Sequence, residues 1–300
     1  MRRVLVIRLG ALGDFVQSFG PFAAIRAQHP QAEITLLTTT PFVALARLSP
    51  WFDQVVVDAR PPWWNLAGMA RLRGQVGGFD LVYDLQTSGR SSRYFRLAGR
   101  PAWSGIARGA SLPHDHPGRD AMHTRERQAD QLARAGIAAV PVPDLAWLRS
   151  AAHPALPAPY ALLVPGAAPH RPRKRWPVAR FAGLADMLVQ RGLRPAVVGA
   201  AGDAPLARAI PAALDLTGQT DLPALAALAG GAALAVGNDT GPMHLAAAMG
   251  CPTVTLFSAE SDPRLTAPRG PHGEWPPVLR SDDLADLPLA RVAAALPPAA

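Results

Sequence analysis

Residues 233–256 read ALAVGNDTGPMHLAAAMGCPTVTL. The apolar run Ala233 to Val236 stops at Gly237, and Asn238, Asp239, Thr240, Gly241 and Pro242 follow. Met243 to Met249 is rich in helix formers and closes at Gly250, and a second apolar run, Thr253 to Leu256, begins after Pro252. The pattern is strand, tight loop, helix, strand. Asp239 or Thr240 can cap the helix, and Pro242 suits its first turn, where a missing N–H costs little. Such a loop turns free backbone N–H groups and the positive end of a helix toward whatever lies above the strand end, which suits a phosphate. An ordinary capped βα loop fits the same letters.

Working outward, the same alternation of short apolar runs with helical stretches occupies both halves of the 300-residue chain. In the first half, strands are expected at Arg3 to Arg8, Glu33 to Thr38, Gln54 to Val57 and Asp80 to Leu85, with helices between them. Asp14 opens the first helix, which Pro21 is expected to kink. Pro141 to Pro159 is Pro- and Ala-rich and reads as a linker, placing a break near 150/151. The pattern then restarts: strands at Tyr160 to Val164, Pro195 to Val198 and Asp215 to Thr217, helices at Val178 to Gln190 and Leu222 to Ala229. After Pro263 it becomes irregular, with a last helix over Asp283 to Leu296. The whole is an α/β chain of two doubly wound parallel-sheet halves, 1–150 and 151–300, without a short-period repeat.

Charge is distributed unevenly. Residues 1–150 carry 18 Arg against 11 acids, and residues 151–300 carry 12 Lys and Arg against 11 acids, so the net +8 belongs almost entirely to the first half. That half should attract an anionic partner. Residues 86–109 hold Arg90, Arg93, Arg96, Arg100 and Arg108 and no acid. No aromatic-interleaved nucleic-acid module accompanies them, so nucleic acid is not an expected partner. The chain has 29 Arg and one Lys, Lys174. Where a generic positive charge was wanted the sequence used Arg, so Lys174 is a candidate for a compact point charge that a planar guanidinium cannot replace. Cys251 is the single cysteine, which suits a reducing compartment. The apolar run near the N-terminus is too short for a signal peptide, and Leu222 to Val236 too short for a membrane span. His114, Asp115, His116, Asp120 and His123 lie close together, but Pro113 and Pro117 break any ligand spacing, so no metal site is expected; Asp120 is read instead as the cap of the helix that runs to Ala135.

Ligands of parallel α/β sheets sit beyond the carboxyl ends of strands. Three loops qualify: Arg8–Asp14, Pro165–Trp176 and Gly237–Gly241. The second carries Gly166, Ala167, Ala168 and Lys174, which resembles phosphate handling although the P-loop spacing is absent; in the first, Gly10-x-x-Gly13 does not match G-x-G-x-x-G. Asp215, at another strand end, could accept ribose hydroxyl hydrogens or be a plain exposed acid. Asp14 reads as a helix cap or as a general base facing an interdomain cleft. An ionised carboxylate at a helix start is a weak base, so the second reading requires a strongly activated partner such as a sugar on a diphosphate.

LVIRLGALGD near the start, PGA…KRWP at 165–177, LTGQTDL at 216–222 and GNDTGPMHLAAAMGCP at 237–252 resemble, in order, the motifs of the family 9 glycosyltransferases, the bacterial heptosyltransferases of the lipopolysaccharide inner core. The resemblance spans nearly the whole chain. It implies a GT-B architecture, two Rossmann-like domains with the acceptor on the first and the nucleotide-sugar donor on the second. It also implies an inverting transfer from ADP-heptose that needs no metal and no cofactor beyond the donor. The base falls on Asp14 and the phosphate-binding lysine on Lys174. Donor contacts fall on Gly166, Ala167, Ala168, Asp239, Thr240 and Gly241, with His244 beside them and Asp215 on the adenosine side. The acceptor, an anionic glycolipid, is implied to meet Gly13, Arg60, Arg90 and Arg93. The implied setting is cytoplasmic, in peripheral contact with the inner-membrane surface. Ala168, Pro169 and His170, where relatives often carry hydroxyl or acidic residues, and Ser258, where Gly is common, depart from the pattern and bear on donor identity. A nucleotide-sugar binder without turnover and a UDP-sugar epimerase on the same plan are the rival readings.

Overall fold

The computed structural model describes residues 2–168 and 170–298, and the chain divides into two compact units, 1–143 and 144–300. The division lies inside the expected linker but ahead of 150/151. A short helix, Ala146–Arg149, belongs to the second unit. Leu148 is fully buried there, and Arg149 donates to the carbonyls of Gly230 (3.2 Å) and Met249 (3.0 Å).

The first unit is a six-stranded sheet of β1 (Arg3–Ile7), β2 (Glu33–Thr38), β3 (Gln54–Val57), β4 (Leu81–Asp84), β5 (Ala102–Gly105) and β6 (Leu112–Pro113), in the order β3-β2-β1-β4-β5-β6. Every pairing is parallel. Val4, Leu5, Val6 and Ile7 are entirely out of solvent, as expected of a central strand covered on both faces. The order reverses between β1 and β4, so the loops after these two strands diverge and leave a crevice. β5 and β6 were not expected from the sequence. They read AWSG and LP, without the apolar run that marks the other strands, and Gly105 ends the first at φ +153°.

The expected kink at Pro21 is not where the helix after β1 breaks. Two helices, Leu12–Val16 and Phe19–Gln28, meet at Gln17–Ser18, and Pro21 sits in the first turn of the second, where it forfeits no helical hydrogen bond. Their apolar face is aromatic: Phe15 stacks on Phe42 at 4.8 Å and meets Phe22 edge-on at 5.5 Å.

The second unit repeats the plan. Its strands are β7 (Tyr160–Val164), β8 (Arg194–Val197), β9 (Leu214–Asp215), β10 (Leu234–Asn238), β11 (Thr253–Phe257) and β12 (Val278–Arg280), ordered β12-β11-β10-β7-β8-β9 and all parallel. The run ALAVGNDTGPMHLAAAMGCPTVTL at 233–256 supplies β10, the helix Gly241–Ala248 and most of β11. Reversal of strand order here falls between β7 and β10. The chain after Pro263 is not irregular throughout: β12 follows Pro276-Pro277 and pairs with Thr255–Phe257, too short a strand to read from three residues. The last helix is Leu289–Ala294 rather than Asp283 to Leu296. Pro288 is its N-cap, and Asp283 caps a separate 3-10 turn, Leu284–Asp286. Phe181, Leu184 and Leu188, one face of the helix Val178–Gln190, fill the core beside Trp176, whose indole N–H donates to the Leu287 carbonyl at 2.8 Å.

Gly237 shows how closely β10 is packed. A Cβ there would stand 2.5 Å from the Val164 Cβ and 2.8 Å from the Met243 sulfur. Gly237→Ala is therefore expected to destabilise the second unit by about 1–3 kcal/mol through overpacking, read as a lower thermal-unfolding midpoint. An unchanged midpoint would show that β7 and the helix yield without cost.

Candidate active site

The second unit gathers its polar side chains at the reversal between β7 and β10. Asn238, the last residue of β10, is fully buried. Its Nδ2 donates to the Pro165 carbonyl at 2.8 Å, and its Oδ1 accepts the Trp176 backbone N–H at 3.1 Å. One amide thus holds both ends of the loop 165–176. Within that loop a 3-10 turn, Pro172–Lys174, brings Lys174 inward until it is 8% exposed, with Nζ 2.5 Å from Asp239 Oδ2. Ser261 donates its hydroxyl to the same carboxylate oxygen at 2.6 Å.

Thr240 occupies the N-cap of the helix Gly241–Ala248, but neither it nor Asp239 caps with its side chain as expected. The Thr240 hydroxyl turns back to the Asn238 carbonyl at 3.2 Å, and the Asp239 carboxylate is taken by Lys174 and Ser261. The first-turn amides are left without a side-chain cap, at the positive end of the helix dipole and next to an ammonium. His244 is buried on the same helix. The arrangement is chemically suited to an anion.

The remaining expected donor residues are distributed more widely. Gly166 approaches Asp203: a Cβ on it would lie 2.7 Å from the Asp203 carboxylate, and one on Gly199 would lie 2.6 Å from it. The Ala167 carbonyl accepts from Arg175 at 2.9 Å, and the Ala168 carbonyl takes the Arg171 N–H at 3.0 Å. Pro169 lies outside the described residues. Asp215 is not brought to the Lys174 group. It ends β9 at the sheet edge, with β8 between it and β7. Its carboxylate accepts the Thr217 hydroxyl (2.6 Å) and N–H (2.9 Å), which hold it below the usual carboxylate range.

In the first unit the reversal between β1 and β4 is also charged. Asp14 stands in the first turn of the helix Leu12–Val16, whose N-cap is Ala11, so it is not the cap. Its half-exposed carboxylate lies 3.3 Å from Nη2 of the buried Arg8. Arg8 also donates from Nη1 to the Leu85 carbonyl at 2.5 Å. Burial pushes the Arg8 guanidinium below its ordinary value, and the charge of Asp14 opposes that shift. Arg127, on the helix Thr124–Arg134, lies in the field of Asp14 too. Asp84 closes β4 and is wholly buried, which pushes its carboxyl up to about 7 against hydrogen bonds from Ser91, Thr87 and Gln86 and the charge of Arg8.

Gly13 is buried in the helix with Asp14. Arg60, at φ +50°, donates from Nη2 to the Leu9 carbonyl at 2.8 Å, which puts it on the loop that leads to Asp14. Arg90 donates to Tyr94 Oη (2.7 Å) and the Pro61 carbonyl (2.8 Å), and Tyr94 donates onward to the buried Asp58 at 2.6 Å. The guanidinium groups of Arg90 and Arg93 both lie over the Trp63 ring, at 5.2 and 5.1 Å. The histidine-rich segment pairs with the helix Thr124–Arg134: His114 with Asp130 and His123 with Glu126, each at 2.9 Å. Asp120 pairs with Arg119 at 2.7 Å, and His123, not Asp120, is the N-cap of the following helix.

Sequence reasoning missed Arg8, Asp84, Arg127 and, as a positioning residue, Asn238. Three of these carried a signal, a polar residue closing an apolar strand: VLVIR, LVYD and LAVGN. Arg127 carried none, being one Arg among several on a polar helix.

Residues 69–275 match the family described as glycosyltransferase family 9 (heptosyltransferase), and the chain belongs to it. Lipooligosaccharide heptosyltransferase 2 of Haemophilus influenzae is 37% identical over 106 residues, 32% of this chain and 30% of that protein. The enzyme of the same name from Haemophilus ducreyi is 26% identical over 310 aligned residues, 89% of this chain and 86% of its own length. Among solved structures, E. coli heptosyltransferase WaaC with ADP superposes with a TM-score of 0.79 at 21% identity, over 97% of this chain and 98% of that one. The fold is accordingly that of the GT-B class, two α/β units with parallel six-stranded sheets.

The raised Asp84 carboxyl makes a pH prediction. Its ordinary value is 3.8 and its folded value about 7. Between these, the unfolded chain has lost the proton and the folded chain has kept it, so rising pH lowers stability across that window. The unfolding midpoint of the wild type should fall between pH 5 and about 8, and Asp84→Asn should lack that part of the decline. An identical pH profile in the variant would show that Asp84 ionises freely in the fold.

Proposed function

We propose that this protein is an inverting, metal-independent glycosyltransferase that moves a heptose from ADP-heptose to a lipopolysaccharide inner-core acceptor in the cytoplasm. The observation that carries the reading is the group formed by Lys174, Asp239 and the uncapped start of the helix Gly241–Ala248, held together by Asn238 at the strand reversal of the second unit. Membership of the family and the likeness over 89% of the chain to a lipooligosaccharide heptosyltransferase support the choice of sugar and acceptor.

In this account the second unit binds the donor and the first the acceptor. Asp14 removes the proton of an acceptor hydroxyl, and that oxygen forms a bond to the anomeric carbon as the bond to the diphosphate oxygen breaks on the opposite face. The anomeric centre inverts, and ADP leaves with its new negative charge met by Lys174 and the Gly241 amide. That pairing supplies cationic stabilisation from protein groups, the ground for proposing metal independence. A carboxylate beside a diphosphate would repel it, so Asp239 serves by fixing Lys174, and Ser261 by holding Asp239. Arg8 orients Asp14 in the same way. Gly13 and Arg60, on and against the loop of Asp14, are assigned to the acceptor's polar groups, with Arg90 and Arg93 further along the same unit.

Asp14→Asn should lower the rate of ADP release from ADP-heptose plus acceptor by about 10²–10⁴-fold, the usual worth of a general base, while calorimetric ADP affinity stays at the wild-type value. Turnover at the wild-type rate would remove Asp14 from the role of base. Lys174→Arg keeps a cation against Asp239 but not the point charge, so ADP affinity should drop roughly tenfold, about 1.4 kcal/mol. Unchanged affinity would show that any cation serves there.

A further inference from the structure

We propose that the segment Arg60–Leu66 of the first unit, with the arginines around it, is a docking surface for an anionic lipid bilayer. Single exposed apolar side chains are common on soluble proteins. Here three fall within four residues: Trp63 is 37% exposed, Trp64 82% and Leu66 81%.

The segment is braced. Pro61 and Pro62 stiffen its start, and the Asn65 N–H donates to the Pro62 carbonyl at 2.9 Å. Arg90 holds the Pro61 carbonyl, and Arg90 and Arg93 both lie over the Trp63 ring. Asn65 then caps the helix Leu66–Val76 through the Gly68 N–H at 2.9 Å. These bonds fix Trp63 and leave the next ring, Trp64, and the first helical side chain, Leu66, turned to solvent. Nothing among the described residues covers these two side chains, and their exposure is costly in water.

The charge around the tip has one sign. Residues 59–79 contain Arg60, Arg71 and Arg73 and no acid, and residues 85–114 contain five further Arg and no acid. The two runs meet where the helix Leu66–Val76 packs against the helix Gly89–Leu97. The nearby Asp58 is buried and engaged by Tyr94 and the Arg60 N–H. Exposed indole and leucine side chains on a rigid tip, ringed by unopposed guanidinium groups, complement the interface of a bilayer, where the rings enter the headgroup region and arginines meet lipid phosphates. No helix among the described residues is long and apolar enough to cross a membrane, so contact of this kind would be peripheral. The inference deepens the proposed function and rests on it for an acceptor that is itself a membrane lipid.

The test is co-sedimentation of the full chain with vesicles of phosphatidylglycerol and phosphatidylethanolamine, against phosphatidylcholine alone, with no donor or acceptor present. The expected result is binding to the anionic vesicles only, weakened by added salt, with a blue shift of tryptophan emission. Trp64→Ser with Leu66→Ser should reduce partitioning by roughly tenfold or more, with an unchanged unfolding midpoint and an unchanged transfer rate to an acceptor stripped of its acyl chains. Arg71→Gln with Arg73→Gln, which leaves the apolar tip intact, should weaken vesicle binding and flatten its salt dependence. Failure of the wild type to bind anionic vesicles, or partitioning of either double variant at the wild-type level, would overturn the surface assignment. Because the assay involves no turnover, that outcome would leave the transferase reading to be judged by its own variants.

Discussion

One buried ion pair organises the strand reversal of the second unit. Lys174 and Asp239 come from different loops, after β7 and after β10, and both are nearly out of water. Removing either partner of such a pair costs about 3–5 kcal/mol, because the survivor is left charged and buried. The pair therefore fixes the two loops at the point where the sheet reverses its order. Asn238 performs the neutral part of the same task, since its single amide satisfies one backbone group at each end of the Lys174 loop. The helix Gly241–Ala248 then starts with its dipole unopposed by any side-chain cap. The chemistry proposed follows from these constraints: an ammonium in the same group as the Gly241 N–H of a helix start that no side chain caps.

The first unit uses the same topology with the opposite emphasis. Its reversal, between β1 and β4, carries two carboxylates, Asp14 and Asp84, around a buried guanidinium, Arg8. Only Asp14 is open to solvent. Asp84 is held in the interior at a pKa of about 7, close to neutral pH. Two units of one design thus differ in what their central loops offer, a solvent-open carboxylate in one and an ammonium beside a helix start in the other. The surplus of arginine lies in the unit that carries Asp14, the one proposed for an anionic acceptor.

Much of this was legible before any coordinates. The run from Ala233 to Leu256 is strand, loop, helix and strand as its punctuation by Gly237, Pro242, Gly250 and Pro252 implies. Lys174 stood out by arginine usage alone. The misses have physical causes. β5, β6 and β12 read AWSG, LP and VLR, so none presents the β-branched apolar run that marked the other strands. Pro21 was read as a kink because its distance from the true helix start was hidden by the break at Gln17–Ser18. Asp239 read as a cap because Asp caps helices, but a cation nearby in space and distant in sequence took its carboxylate first.

The most direct test of the central claim is a crystal structure of this chain with ADP. The account predicts the diphosphate at the start of the helix Gly241–Ala248, with Lys174 Nζ and the Gly241 N–H on its oxygens and Asp239 still paired to Lys174. A diphosphate bound away from both Lys174 and Gly241 would contradict it.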